Sequence, residues 1–190
     1  MSIKENIIHE ALRLFSLKGF SSTSITDILH ATGASKGGFY NHFKSKDDLF
    51  FAVLGRAREI WREKVLTGLD QVDQPLEKIC KILENYRDLY LIDSDNIPGG
   101  CIFINLAVEL ADKYPHLADG VNQGFSGFKS MLNHLLNDAG RQGILKDAST
   151  EALTEMVFAS MLGASMMYSV DKSTENLRHT IDAIIQYLRT

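Results

Sequence analysis

Proline and cysteine are both scarce in this 190-residue chain, and each scarcity excludes something. Three prolines, Pro75, Pro98 and Pro115, leave room for long uninterrupted helices, because proline inside a helix removes an N–H and clashes with the preceding turn. Two cysteines, Cys80 and Cys101, cannot form a disulfide framework and lack metal-ligand spacing, which fits a reducing compartment. His9, His30, His42, His116, His134 and His179 show no ligand spacing either, so neither a metal nor a cofactor is expected. Unbroken apolar runs fall far short of the roughly 20 residues of a membrane span. The first residues also lack a basic start and an apolar stretch, so a cytoplasmic protein without a membrane partner is expected. No segment alternates with the period of a strand.

What remains is helical periodicity. Ile3, Ile7, Ala11, Leu14 and Phe15 give a first amphipathic helix that stops at Gly19. Leu49, Val53, Ile60 and Trp61 recur at helical steps from Lys46 to about Leu66. Pro75 opens a helix reaching about Leu91, with Leu76, Ile79, Cys80, Leu83, Tyr86 and Tyr90 on its apolar side. Residues 93–100 break the pattern with Asp, Asn, Pro and Gly. Further helices are expected over Cys101–Ala111, from Pro115 towards Ala139, from Glu151 to about Val170, and from Ser173 to Leu188. An all-α chain of about nine helices follows, three short ones in the first 45 residues and longer ones after.

The first stretch carries the chemistry. Thr23 or Ser24 can cap a short helix whose Ile25, Ile28 and Leu29 share a face, and Gly33 supplies the left-handed residue of a tight turn. Ser35 caps a second short helix, Lys36 to Phe43, and Ser45 with Asp48 forms a capping pattern ahead of Leu49 and Phe50. This is a helix-turn-helix, whose second helix enters a DNA groove. Overall charge is −4, yet residues 1–50 hold six basic side chains against five acidic ones, with Lys36, Lys44 and Lys46 close together. A slightly basic module can therefore meet phosphate while an acidic body points away.

In such a motif the N-terminal part of the second helix faces base edges while flanking groups hold phosphates. Lys36, Gly37 and Gly38 fall on that first turn. Each of the two glycines costs roughly 1 kcal/mol relative to alanine, which calls for either close approach of backbone to DNA or a sterically tight turn. Tyr40, Asn41 and His42 are the exposed candidates, whereas Phe39 and Phe43 pack inward. Lys46 is a further phosphate candidate, as are Thr23 and Ser24 at a helix N-terminus.

These residues resemble the TetR family of bacterial transcription regulators. The resemblance covers Ile7 to Leu49 through Leu14-Phe15, Lys18-Gly19-Phe20, Thr23-Ser24-Ile25, Asp27-Ile28, Ala31, Gly33, Ser35-Lys36-Gly37, Tyr40, Phe43 and Ser45-Lys46. It implies a DNA-binding domain over residues 1–46 and a helical ligand-binding and dimerisation domain over residues 47–190. It further implies a homodimer on a pseudo-palindromic operator in double-stranded DNA, repression, and release by a small-molecule effector. Tyr40 matches the family's phosphate-binding tyrosine. Gly38 and Asn41 stand where many relatives carry Thr and His.

For the larger domain, Trp61, Tyr86, Tyr90, Phe103, Phe125, Phe128, Met131, Met161 and Tyr168 are candidates to line an apolar effector cavity, the alternative being plain core. Cys101, after Pro98-Gly99-Gly100 and at a helix start, is either a sensor of electrophiles or oxidants or an inert buried thiol. The last two helices are apolar beyond one stripe, so Met156, Ser160, Gly163, Ala164, Met167, Leu177, Ile181, Ile184 and Leu188 are the candidate dimer interface. Control by a protein partner is the other binding reading.

Two enzyme motifs match in letters only. Gly33-Ala34-Ser35-Lys36-Gly37 has the form of a hydrolase nucleophile elbow, which would make Ser35 a nucleophile, but that elbow needs a strand before the serine. Gly33 and Gly38 have P-loop spacing, but Phe39 stands where lysine is required. A small hydrolase is thus the remaining alternative to a non-enzymatic regulator.

Overall fold

A computed structural model describes residues 1–145 and 149–190. Their regular structure is helical, with no strand among the described residues. The helices are α1 (Ile3–Lys18), α2 (Ile25–Thr32), α3 (Lys36–Tyr40), α4 (Lys46–Val65), α5 (Pro75–Asn85), α6 (Ile102–Leu110), α7 (Pro115–Arg141), α8 (Thr150–Asp171) and α9 (Thr174–Leu188). Serines open several of them. Ser2 and Glu5 cap α1 reciprocally, Ser24 and Asp27 do the same for α2, and the Ser149 and Ser173 hydroxyls cap α8 and α9.

Two helices end earlier than their apolar pattern predicts. At the end of α3 the His42 N–H turns back to the Phe39 carbonyl at 2.9 Å, a tighter 3₁₀-type closure that shares this carbonyl with the Phe43 N–H at 3.0 Å and ends the regular helix at Tyr40. After α5 the chain widens into a π-helical turn over Tyr86–Tyr90, in which the Leu91 N–H reaches the Tyr86 carbonyl at 3.0 Å. That wider turn stacks Tyr86 on Tyr90, with ring centroids 5.4 Å apart. The Tyr86 hydroxyl hydrogen-bonds the buried Ser165 hydroxyl.

The described residues group into two compact units, Met1–Ile60 with Asp93–Gln123, and Trp61–Ile92 with Gly124–Thr190. The first unit groups residues 93–123 with α1 to α3 and most of α4. The reason is a set of contacts that bind residues 93–123 to α1 and α4. The Arg13 guanidinium donates to the Asp95 carbonyl at 2.5 Å, the Gly99 N–H donates to the Ser16 hydroxyl at 2.9 Å, and the Arg58 guanidinium donates to the Gly120 carbonyl at 2.6 Å. His116 Nε2 and the Asp47 carboxylate lie 2.8 Å apart.

In the first unit Ile7, Ala11, Leu12, Phe15, Phe20, Ile28, Phe39, Leu49 and Phe50 are buried. Leu12 takes the inward position on α1, while Leu14 is only half-buried. Phe20 is the hub. Phe15, Phe50 and Tyr114 each meet it edge-on at 5.4 to 5.5 Å, the geometry that aromatic quadrupoles favour. In the second unit Ile79, Ile82 and Leu83 of α5, Val157 and Met161 of α8, and Leu177, Ile181 and Leu188 of α9 form the interior. Asn85, buried, donates to the Val65 and Thr67 carbonyls at 3.1 and 2.8 Å, which satisfies helix-end carbonyls.

Candidate nucleic-acid interface

The turn of the helix-turn-helix is built by short-range hydrogen bonds. Ser24 is the cap of α2: its hydroxyl accepts the Asp27 N–H at 3.1 Å, and the Asp27 carboxylate accepts the Ser24 N–H at 2.8 Å. The Ser24 N–H and then its hydroxyl hold the Asp27 carboxyl below its ordinary pKa. Thr23 is fully buried and its hydroxyl donates to the Gly19 carbonyl at 2.7 Å. Thr23 therefore seals the end of α1 and does not face a ligand, which corrects its assignment as a phosphate contact. Ser35 caps α3 by accepting the Gly38 N–H at 3.0 Å. No strand precedes it among the described residues, so the nucleophile-elbow form has no structural counterpart.

Above these caps α3 divides cleanly. Phe39 and Phe43 are buried with ring centroids 5.6 Å apart, while Lys36, Gly37, Tyr40, Asn41 and His42 are exposed. Tyr40 is 48% exposed and stands edge-on to Phe39 at 5.2 Å, a contact that seats one part of its ring and leaves the rest to solvent. The two glycines differ. A Cβ built on Gly37 would meet only the Ser35 Oγ, at 4.0 Å, whereas one on Gly38 would lie 3.3 Å from that same oxygen. Gly38 is crowded by the cap; Gly37 has open space and no packing reason to be glycine.

Lys46 is committed to the fold. Its ammonium donates to the Phe20 and Thr23 carbonyls at 3.0 Å each and lies 4.1 Å from the centre of the Phe20 ring. Burial lowers its pKa, while Glu109 and Asp47 act in the opposite sense. Two of its three N–H bonds are thus spent inside the chain. Lys44, just before α4, is exposed, and its backbone N–H is held by the Asp48 carboxylate at 2.9 Å. The sequence already groups it with Lys36 and Lys46 as a cation able to meet phosphate. Glu109 of α6 was missed. It reaches back 88 and 89 residues to accept the Ser21 and Phe20 N–H groups, a contact for which no local sequence signal exists.

The residues proposed to line an effector cavity are split between the units. Cys101 and Phe103 belong to the first, where Cys101 is 3% exposed at the N-cap of α6. The rest belong to the second. There Trp61 meets Phe128 edge-on at 5.1 Å, and Phe125 and Phe128 both meet Phe158, at 5.5 and 6.0 Å. Phe158 completes this cluster and was not among the residues read from the sequence. Tyr86, Tyr90 and Met161 are buried, and Met131 and Tyr168 are half-buried.

On α8 and α9 the proposed dimer residues also divide. Leu177, Ile181 and Leu188 fill the interior of their own unit, with Ala164, so they are core and not surface, a correction to their assignment. Met156, Ser160, Gly163 and Met167 remain accessible, beside the exposed Met166, Val170 and Tyr187. A shallow groove of about 500 Å³ between the two helices is lined by Met156, Ser160, Thr180, Ala183, Ile184 and Tyr187, with His179 at its side.

Comparison with known proteins places this geometry. Residues 7–53 match the family model for "Bacterial regulatory proteins, tetR family", and residues 75–184 match the model for "Tetracyclin repressor-like, C-terminal domain". The chain is 23% identical over 190 residues to the HTH-type transcriptional repressor NemR of Escherichia coli strain K12, covering 98% of this chain and 94% of NemR. A TetR transcriptional regulator from Chloroflexus aurantiacus J-10-FL superposes with a TM-score of 0.89 at 28% identity, covering 98% of this chain and 93% of that one. AibR, solved in complex with isovaleryl coenzyme A and operator DNA, superposes with a TM-score of 0.76 at 18% identity, covering 98% and 97% of the two chains. Matched at both ends, and over more than half its length by the second model alone, the chain belongs to the TetR family of helix-turn-helix transcriptional regulators.

Proposed function

We propose that this protein is a repressor that binds a pseudo-palindromic operator as a homodimer and releases it when a small apolar effector binds. The observation that carries the DNA-binding part is α3 itself. A buried Phe39–Phe43 seat holds a five-residue helix whose Lys36, Gly37 and Tyr40 are all outward. Lysine supplies phosphate attraction, an exposed tyrosine supplies a hydroxyl donor, and the open Gly37 lets a partner approach the backbone. Asn41, His42 and Lys44 stand beside them for base edges or phosphates.

Dimerisation is supported by the exposed apolar residues of α8 and α9. Met166, Met167, Val170 and Tyr187 are each more than half exposed, and a second copy would cover them in a self-complementary contact. A two-fold dimer would present its two α3 helices to successive major grooves, about 34 Å apart. An apolar effector is supported by the aromatic cluster Trp61, Phe125, Phe128 and Phe158 in the second unit, where the half-buried Trp61, Phe125 and Phe128 rings offer a ligand both area and flat faces. Chemistry at Cys101 is disfavoured by its burial. NemR is named a repressor, and AibR was solved with an acyl thioester and DNA; both accord with this reading.

Selection of duplexes from a random library by the full-length protein, followed by fluorescence-anisotropy titration, tests it. Lys36→Ala and Tyr40→Ala are expected to weaken binding to the selected duplex by about tenfold each while the unfolding midpoint stays in place. Wild-type affinity in both variants would remove α3 from the interface. Sedimentation equilibrium tests the dimer, and a monomer at micromolar concentration would sink that part.

A further inference from the structure

Glu109 occupies an uncomfortable place for a carboxylate. It lies in the last turn of α6, where the carbonyl end of the helix dipole disfavours negative charge. The compensation lies off that helix. One oxygen accepts the Phe20 N–H at 2.7 Å and the other accepts the Ser21 N–H at 2.6 Å, both in the turn between α1 and α2. Gly19 makes the approach possible, since a Cβ there would sit 2.5 Å from the Glu109 Oε2 and the residue's φ is +80°.

The same turn is gripped from its other side. The Lys46 ammonium donates to the Phe20 and Thr23 carbonyls, so a carboxylate from α6 holds the turn's N–H groups while an ammonium from α4 holds its carbonyls. Directly after the turn stands exposed Ser24, the cap of α2, at a helix N-terminus suited to a phosphate oxygen. Hydrogen bonds to a charged acceptor are short and roughly twice as strong as neutral ones, so this grip adds to the Ser24–Asp27 cap, which also uses a carboxylate, in fixing the entry of α2.

We propose that Glu109 is a positioning residue for DNA binding, which sets the α1–α2 turn and with it the phosphate-facing end of α2 from a helix outside the helix-turn-helix. The inference rests on the DNA-binding reading above. It makes a prediction opposite in sign to plain electrostatics. Removing a negative charge near DNA would tighten binding if charge alone mattered; loss of positioning weakens it.

The test uses the full-length protein with the duplex that wild type selects, and compares Glu109→Gln and Glu109→Asp. Glutamine keeps the size but turns an NH₂ towards one of the two N–H groups, and aspartate keeps the charge but is one methylene short. Both variants are expected to bind about tenfold more weakly, and the Phe20 and Ser21 amides are expected to exchange faster with solvent than in wild type. Equal or tighter binding by Glu109→Gln overturns the proposal while leaving the DNA-binding reading intact, as do unchanged exchange rates at both amides. Failure of wild type to select any duplex removes both together. If the glutamine variant loses its helical circular dichroism, the aspartate variant decides by the same two readouts.

Discussion

Gly37→Ala should stabilise this protein and damage its function at once. Gly37 is helical, its φ is not positive, and an added methyl group would meet only the Ser35 hydroxyl at 4.0 Å, an ordinary van der Waals distance. With no clash and no strained backbone, the change recovers the conformational entropy that glycine loses on folding, about 0.5–1 kcal/mol. For a chain of this length, that is a rise of roughly 1–4 °C in the unfolding midpoint. A methyl group on a surface that a DNA backbone or base edge must approach closely acts in the other direction. Overpacking of a fitted contact costs about 1–3 kcal/mol, roughly 5- to 150-fold in affinity. Thermal unfolding followed by circular dichroism reads the first effect, and anisotropy titration of the selected duplex reads the second. A variant that is more stable and binds with wild-type affinity would refute close approach as the reason for the glycine. One that is less stable would refute the claim that the space is open.

Three further outcomes follow from the titrating groups. Burial pushes the Cys80 thiol up to about 11, against the opposing pull of Arg189, so it stays protonated in neutral buffer, and Cys101 is buried as well. Iodoacetamide should therefore label neither thiol faster than the protein unfolds; rapid native labelling at Cys101 would restore the sensor reading. Because an unfolded thiol ionises near its ordinary 9.0, stability should fall as pH climbs from there towards about 11, and Cys80→Ala should flatten that fall. At the acid end, Asp27 is held below its ordinary 3.8 by the Ser24 N–H and hydroxyl, so its contribution is present above 3.8 and lost as pH drops through the native value. Urea midpoints of wild type and Asp27→Ala should differ at neutral pH and converge in acid; a constant difference would mean that the cap does not depend on the charge.

Helix positions and caps were legible in the sequence because they rest on contacts three and four residues apart. Ser24, Ser35 and Ser45 announce α2, α3 and α4 in that way, and each hydroxyl caps the expected N–H. What covers a helix face was not legible. Leu177, Ile181, Ile184 and Leu188 follow one another at steps of three and four, the stripe of any amphipathic helix. The spacing identifies the stripe without saying whether the same chain or a second copy lies on it, and here the same chain buries it. Lys46 has the same ambiguity at the level of one side chain. Its position beside α3 suggests phosphate, yet the carbonyls that take its ammonium lie 23 and 26 residues away. The grouping of residues 93–123 with the first 60 was not legible for a related reason, since Arg13, Ser16 and Glu109 tie segments that are more than 80 residues apart.

Glycine shows how the structure separates two meanings that a sequence cannot. A Cβ on Gly99 would lie 1.7 Å from the Ser16 carbonyl oxygen, so the loop before α6 can lie on α1 only with no side chain there. Gly19 is required by its backbone angle and by the Glu109 carboxylate beside it. Both glycines are demanded from within the first unit, and both are spent on holding residues 93–110 to the helix-turn-helix. Gly37 is demanded by nothing within the chain. A residue that costs helix stability, meets no neighbour and faces outward between Lys36 and Tyr40 takes its reason from what docks there. The contacts that make Gly19 and Gly99 necessary are those through which α6 holds the turn leading into α2 and the loop before α6 lies on α1, so on the DNA-binding reading proposed above that surface is set in part by a helix that the family resemblance assigns to the other domain.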